Sequence, residues 1–187
     1  MIARLLFPTL IAVHASAALS DCPAAADHTD AFNALVAKAR SAENELAARE
    51  ISDQMWELWA DAPNDQAQAV LDRGMQKRAS YNMMGAIEDF DTLVEYCPNY
   101  AEGYNQRAFV NFLQQNYAVA LVDLNRALEL SPDHVAARAG LALTYMQMGQ
   151  LVDARRELRR ALDLNPWLSE RHLMGKGGPL EPKGNDI

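Results

Sequence analysis

The sequence predicts an all-α protein, an array of antiparallel helix hairpins stacked one on the next, and three observations predict it. Proline recurs at Pro98, Pro132 and Pro166, each 34 residues after the last, closing the parallel phrases Asp-Thr-Leu-Val-Glu-Tyr-Cys-Pro, Asn-Arg-Ala-Leu-Glu-Leu-Ser-Pro and Arg-Arg-Ala-Leu-Asp-Leu-Asn-Pro. Small residues return at matched places in each unit: Gly74 and Ala86, Ala108 and Ala120, Ala142 and Ala154. Half of the 187 residues are hydrophobic and only nine are glycine, a balance that suits close-packed helices. A unit of this length made of two helical stretches cannot bury its apolar face alone, so each depends on its neighbours.

Taken in order, residues 1–17 read as a secretory signal peptide. Arg4 gives the positive start, Leu5 to Val13 is apolar apart from Thr9, and Ala15-Ser16-Ala17 offers the small residues of a cleavage site. That apolar core is about half the length needed to cross hydrocarbon and contains Pro8, so no stable membrane insertion is expected. Residues 18–28 form an N-terminal segment. Export puts Cys22 and Cys97 in an oxidising compartment, and an even cysteine count there predicts a disulfide between them.

Residues 29–66 read as a degenerate hairpin packing on the array and covering its end. Thr29 or Asp30 can cap a helix to about Arg40, and Ser41 can open a longer one to about Ala60, with Ala47, Ile51, Met55, Leu58 and Trp59 at helical spacing. Trp56 and Trp59 are expected to pack there rather than to form a ligand cage. Three repeats follow at 67–100, 101–134 and 135–168. Asn82 and Asn116 are placed to cap the second helix of their units, and Gly149 can supply a positive φ in the third. The closing prolines stop each second helix before the next unit begins. Residues 169–174 are a short capping helix over the last repeat, and 175–187, rich in Gly, Pro and charge, a flexible tail.

These three repeats align without a gap and resemble the tetratricopeptide repeat (TPR) family over about 100 residues. Place 4 of the unit holds Val70, Tyr104 and Arg138, and place 8 holds Gly74, Ala108 and Ala142. Places 20, 24 and 27 hold Ala86, Phe90 and Leu93, then Ala120, Leu124 and Ala127, then Ala154, Leu158 and Ala161. Arg138 and Asn111 depart from the family's aromatic sites. The resemblance implies a right-handed superhelical array with a concave inner face. That face is lined by Gln68, Leu71, Met75, Arg78 and Ala79, then Glu102, Asn105, Phe109, Phe112 and Leu113, then Ala136, Ala139, Leu143, Met146 and Gln147. Leu71 and Met75 stand where the family's carboxylate-clamping members carry Lys and Asn, so a partner with apolar anchors fits better than an acidic tail.

Charge completes the reading. Arg73 and Asp89 are 16 residues apart, as are Arg107 and Asp123, and pairing between the helices of a repeat accounts for both. A net charge of −8 argues against nucleic acid and anionic membrane surfaces. The four histidines are scattered, no metal, phosphate or nucleophile motif is present, and neither enzyme activity, cofactor nor metal is expected. The function expected is an exported, periplasmic or secreted, interaction module for a protein or peptide partner in the cell envelope. Leu71, Met75, Arg78, Asn105, Phe109, Phe112, Leu113, Leu143, Met146 and Gln147 carry the partner-binding face. Structural self-association, or carriage of a small apolar ligand as an accessory subunit, is the alternative. Phe109 and Phe112 are either open to that partner or covered by the chain's own terminal helices.

Overall fold

A computed structural model describes residues 22–182. The signal-peptide reading of 1–17, residues 18–21 and the last five residues of the tail lie outside the described residues. Among those described, eight α-helices and a terminal 3-10 helix occur and no strand, so the all-α expectation holds. The helices are α1 (Thr29–Arg40), α2 (Glu45–Ala60), α3 (Asp65–Ala79), α4 (Met83–Tyr96), α5 (Ala101–Leu113), α6 (Tyr117–Leu130), α7 (Val135–Gln147) and α8 (Leu151–Leu164). From α3 onward they form three antiparallel pairs, α3 with α4, α5 with α6 and α7 with α8, each stacked on the next.

Small residues set the approach within each pair. A Cβ on Gly74 would lie 2.5 Å from the Phe90 ring, so α3 and α4 close only because that side chain is missing. Phe90, Ala86, Leu93, Tyr100 and Val110 make one core cluster, Ala108, Ala120, Leu124 and Leu141 the next, and Ala142, Ala154 and Leu158 the last. Between the paired helices the chain reverses through a left-handed residue at the same place every time: Tyr81 (φ 61°), Gln115 (φ 63°) and Gly149 (φ 75°). Only the third is the glycine that the conformation favours. Asn82 caps α4 by accepting from the Gly85 amide at 3.1 Å. Asn116 does not cap α6; its amide faces Asn111 and Gln114 instead, drawn by side-chain acceptors that the first repeat lacks.

Buried carboxylates tie each pair from within. Asp89 accepts from Arg73 at 2.9 Å and lies 2.8 Å from Lys77 Nζ, while Asp123 accepts two bonds from Arg107, at 2.9 and 2.7 Å. In the third repeat, where Leu141 replaces the arginine, Arg138 comes from three residues earlier to reach Glu157 at 2.9 Å. The hydrogen bond to Asp123 raises the Arg107 guanidinium above its ordinary value, so this charge pair is fixed.

The N-terminal hairpin covers the start of the array only with the end of α2, where Ala60 packs on Ala67 and Leu71. It lies across the inner face: Arg40 donates to the Asp163 carbonyl at 2.8 and 2.6 Å, Asn165 donates to Ser52 Oγ at 2.8 Å, and Arg171 pairs with Glu45 at 3.2 Å. Phe32, Leu35, Val36 and Met55 pack with Val135, Leu164 and Leu168. The apolar stripe of α2, Ile51, Met55, Leu58 and Trp59, is withdrawn from water there. Its caps also differ from expectation. Asn44, not Ser41, caps α2 by accepting from Ala47, because the Ser41 hydroxyl is used on the Ala37 carbonyl that ends α1; the α1 cap position is His28. Cys22 and Cys97 are joined by a disulfide, Cα to Cα 5.1 Å, which closes a loop of 75 residues and ties the segment before α1 to the end of α4.

The tail expectation needs correction for residues 175–182. After the 3-10 helix Ser169–Met174, the chain folds back and Leu180 is fully buried against Ala142, Ala154 and Leu158. Its amide donates to the Leu173 carbonyl at 2.9 Å, and its own carbonyl accepts from Arg155 Nε at 3.1 Å. The returning chain thus covers apolar side chains of α7 and α8.

Candidate functional site: the divided inner groove

The inner face belongs to α3, α5 and α7, and α2 crosses it. On one side of α2 a cleft of about 450 Å³ opens between Trp56, Phe109, Phe112, Ala139, Leu143 and Leu168, with Arg78, Asn105 and Gln106 at its polar end. Phe109 is 44% exposed and Trp56 41%, large fractions for side chains of this size. The Arg78 guanidinium lies over the Phe109 ring, 4.7 Å from its centroid, and donates to the Gln106 side chain at 2.5 Å. Burial lowers the Arg78 pKa and Glu102 opposes that shift, but the group stays cationic. The cleft is thus an apolar trough with one half-buried cation.

On the other side of α2 a larger cavity, about 790 Å³, lies between residues 22–29 and the loops that join successive repeats. Its floor carries Glu102 and His134, both fully buried, with His134 Nε2 2.8 Å from Glu102 Oε2. Glu102 also accepts from Asn105 at 2.9 Å and from Gln106 at 2.5 Å. His134 Nδ1 accepts from the Ala137 amide at the start of α7, so the ring proton sits on Nε2 and points at Glu102. Trp59 stacks flat on His134, centroids 4.3 Å apart, and its carbonyl accepts from the Tyr100 hydroxyl. Every polar side-chain atom of the pair has a hydrogen-bond partner inside the protein, so the pair clamps the start of α5 to the start of α7. Burial raises the Tyr100 phenol far above its ordinary pKa, and it acts as a neutral donor. Among the described residues no group of three or more His, Cys, Asp and Glu is placed to hold a metal, and no helix is long and apolar enough to cross a membrane.

Of the residues assigned to the partner-binding face, the cleft gathers Arg78, Asn105, Phe109, Phe112 and Leu143. Asn105 is turned largely inward, bonded to Glu102. Leu71 does not belong to the groove: it is fully buried among Ala60, Ala67, Phe90 and Val110, because the end of α2 and the middle of α5 close over it. Met75 packs on the edge of that same cluster, and Met146 on the core of the third repeat. Leu113 and Gln147 are exposed at the ends of α5 and α7, beyond the cleft. Trp56 is a cleft wall rather than only packing, and the Glu102–His134 clamp was not signalled by isolated residue types; a Glu at an inner-face place of α5 and a His just before α7 were its only trace.

Three stacked helix pairs around a partly open inner trough define a helical-repeat scaffold. A tetratricopeptide repeat profile matches residues 112–167. The chain is 31% identical over 134 residues to tetratricopeptide repeat protein 36 of Bos taurus, covering 70% of each chain. It is 37% identical over 67 residues to the tetratricopeptide repeat protein 36 homolog of Nematostella vectensis, covering 36% of this chain and 37% of that protein. A TPR repeat-containing protein of Rhizobium etli is 31% identical over 81 residues, 43% of this chain and 40% of its own length. The chain therefore spans well under half of those last two relatives. Among solved structures, the first TPR of Spaghetti (RPAP3) bound to the HSP90 peptide SRMEEVD superposes with a TM-score of 0.55 at 22% identity, covering 57% of this chain and 86% of that one. The chain belongs to the tetratricopeptide repeat family.

Proposed function

We propose that the protein is a peptide-binding module whose cleft takes a segment with apolar anchors. The observation that carries this reading is the trough itself: exposed Phe109 and Trp56 face Leu143 and Leu168 across a gap of about 450 Å³, and a soluble chain leaves so much contiguous apolar surface where something binds. The first TPR of Spaghetti (RPAP3) holds an HSP90 peptide. Here Leu71 is core and Met75 is half-buried, so neither of these two places offers an amine or amide to an acidic terminus, and in the cleft Arg78 is left to orient a single carboxylate or carbonyl. Peptides selected from a random display library on the oxidised full chain should be rich in Leu, Phe and Trp. Phe109→Asp, with helicity verified by circular dichroism, should weaken them by about 2 kcal/mol, roughly 30-fold, as expected for a central aromatic anchor. Acidic selected peptides that bind Phe109→Asp equally well would refute the reading.

We also place the protein outside the cytosol, in the periplasm or beyond. The Cys22–Cys97 bond supports this, since such bonds persist in oxidising compartments, as does the signal-like pattern of residues 1–17. Recovery of the oxidised chain from the cytosolic fraction would overturn it.

A further inference from the structure

The hairpin α1–α2 is an added body laid over a face that the three repeats would otherwise leave open. Trp56 walls the cleft and Trp59 walls the larger cavity, so α2 borders both. Trp59 is wedged between Phe32, at 5.4 Å, and His134, at 4.3 Å, in the manner of an anchor side chain in a receptor pocket. The ties at the far edge, from Glu45 to Arg171 and from Arg40 to the Asp163 carbonyl, are at the solvent-exposed rim, where such contacts hold weakly. Covalently the hairpin is attached at two points: through residues 61–64 into α3, and through Cys22, seven residues before Thr29, to Cys97.

We infer that α1–α2 is a lid occupying the concave face as a built-in ligand, that the Cys22–Cys97 disulfide is its latch, and that the partner replacing it is an amphipathic helix with two aromatic residues three apart, as α2 carries Trp56 and Trp59. The template for the occupant is α2 itself, a helix already seated on this surface. The latch is reachable, since both cysteines line the larger cavity and Cys22 is only half-buried while Cys97 is buried. A thiolate of a dithiol reductant attacks Cys22 Sγ, the S–S bond breaks, and Cys97 leaves as a thiolate that takes a proton from water. The second thiol of the reductant then displaces Cys22 as its thiol, so two electrons pass to the protein and the dithiol becomes a disulfide. With one of two tethers gone, the effective concentration of the hairpin at the inner face falls, and a helix in trans can compete. The identity of the partner rests on the peptide-groove reading; the lid does not.

The test uses the full chain in three forms: oxidised, reduced with dithiothreitol, and Cys22→Ser, which leaves Cys97 as a buried thiol. Amide hydrogen exchange should be at least tenfold faster in α1 and α2 for the reduced and Cys22→Ser forms, with α5 to α8 unchanged. A labelled synthetic peptide of residues 45–60 should bind those two forms at least tenfold more tightly than the oxidised chain, and the same peptide with both tryptophans changed to alanine should not. Exchange in α1 and α2 that ignores reduction, or that rises equally in all helices, would overturn the latch. A lid that opens without capturing the peptide would support the latch and overturn the helix-in-groove partner. Equal peptide capture by all three forms would show that α2 does not guard the site and would overturn the lid.

Discussion

Leu180→Ala gives a direct measure of how firmly the end of the chain is docked. Leu180 has no exposed surface and fills the space between Ala142, Ala154 and Leu158, with Leu173 and Met174 alongside. Truncating a buried leucine removes about 2–5 kcal/mol, the spread reflecting how well the site can collapse. Here the walls include two alanines, whose short side chains cannot move in to fill the gap, which argues for a large loss. Against that, residues 175–182 can lift off as a unit, and the loss cannot exceed the docking energy of that segment. The balance points to about 2 kcal/mol, close to the transfer energy of one leucine side chain. Urea unfolding followed by circular dichroism measures it, with Leu113→Ala, at a residue 45% exposed, as the control expected within about 0.5 kcal/mol of the parent. Limited proteolysis should cut the Leu180→Ala chain first after the 3-10 helix. A loss below about 0.5 kcal/mol for Leu180→Ala, with no new cleavage, would mean that the returning segment is not part of the fold.

Two further outcomes follow from the backbone and the buried charges. Tyr81→Gly and Gln115→Gly should each stabilise the chain by about 0.5–1 kcal/mol, since the left-handed conformation costs a side-chain-bearing residue about 1–2 kcal/mol and part of the gain is returned as unfolded-chain entropy. Tyr81 is 85% exposed and gives up little packing; a drop in thermal midpoint for both variants would contradict the strain argument. For Asp89, burial alone would raise the carboxyl pKa, but the hydrogen bond from Arg73 and the ammonium of Lys77 outweigh it and hold the pKa below the ordinary value. A depressed native pKa contributes stability that is complete above the unfolded value, about 4, and is lost as pH falls through the native one. The stability gap between the parent and Asp89→Asn should therefore be wide at pH 7 and shrink below about pH 4, and a gap that widens on acidification would invert the assignment.

The repeats were legible because the constraint that shapes them is local and periodic. A small residue every 34 positions, a closing proline and an apolar stripe place α3 to α8 without reference to anything distant. The turn at place 15 was only one-third legible: Gly149 advertises a positive φ, whereas Tyr81 and Gln115 adopt it under tertiary compulsion against their own preference. Asn116 shows the same limit, since its capping geometry is lost to two neighbouring side chains that Asn82 does not meet. The lie of α1–α2 was not legible at all. Its apolar spacing announces that one face is buried, but the choice of surface is settled by contacts such as Ser52 with Asn165, which no short-range pattern encodes. In the cleft, Phe109, Phe112 and Leu143 follow from their places in the unit, while Leu71 is core because the first inner helix lacks a preceding repeat and is closed instead by the end of α2. Leu180 was hidden by composition, one apolar anchor among residues that usually mark a loose end.

The bonds from Arg40 to Asp163 and from Ser52 to Asn165 join positions 123 and 113 residues apart and turn an open stack into a closed circuit. In a linear repeat array each unit answers only to its neighbours, so the ends fray first and the middle melts later. Here the helices that precede the first repeat have their docking surface on the third, so contacts of long sequence separation link the two. Long-range closure of this kind slows folding relative to a local helical stack, and it gives the third repeat a second set of partners besides its neighbour in the array.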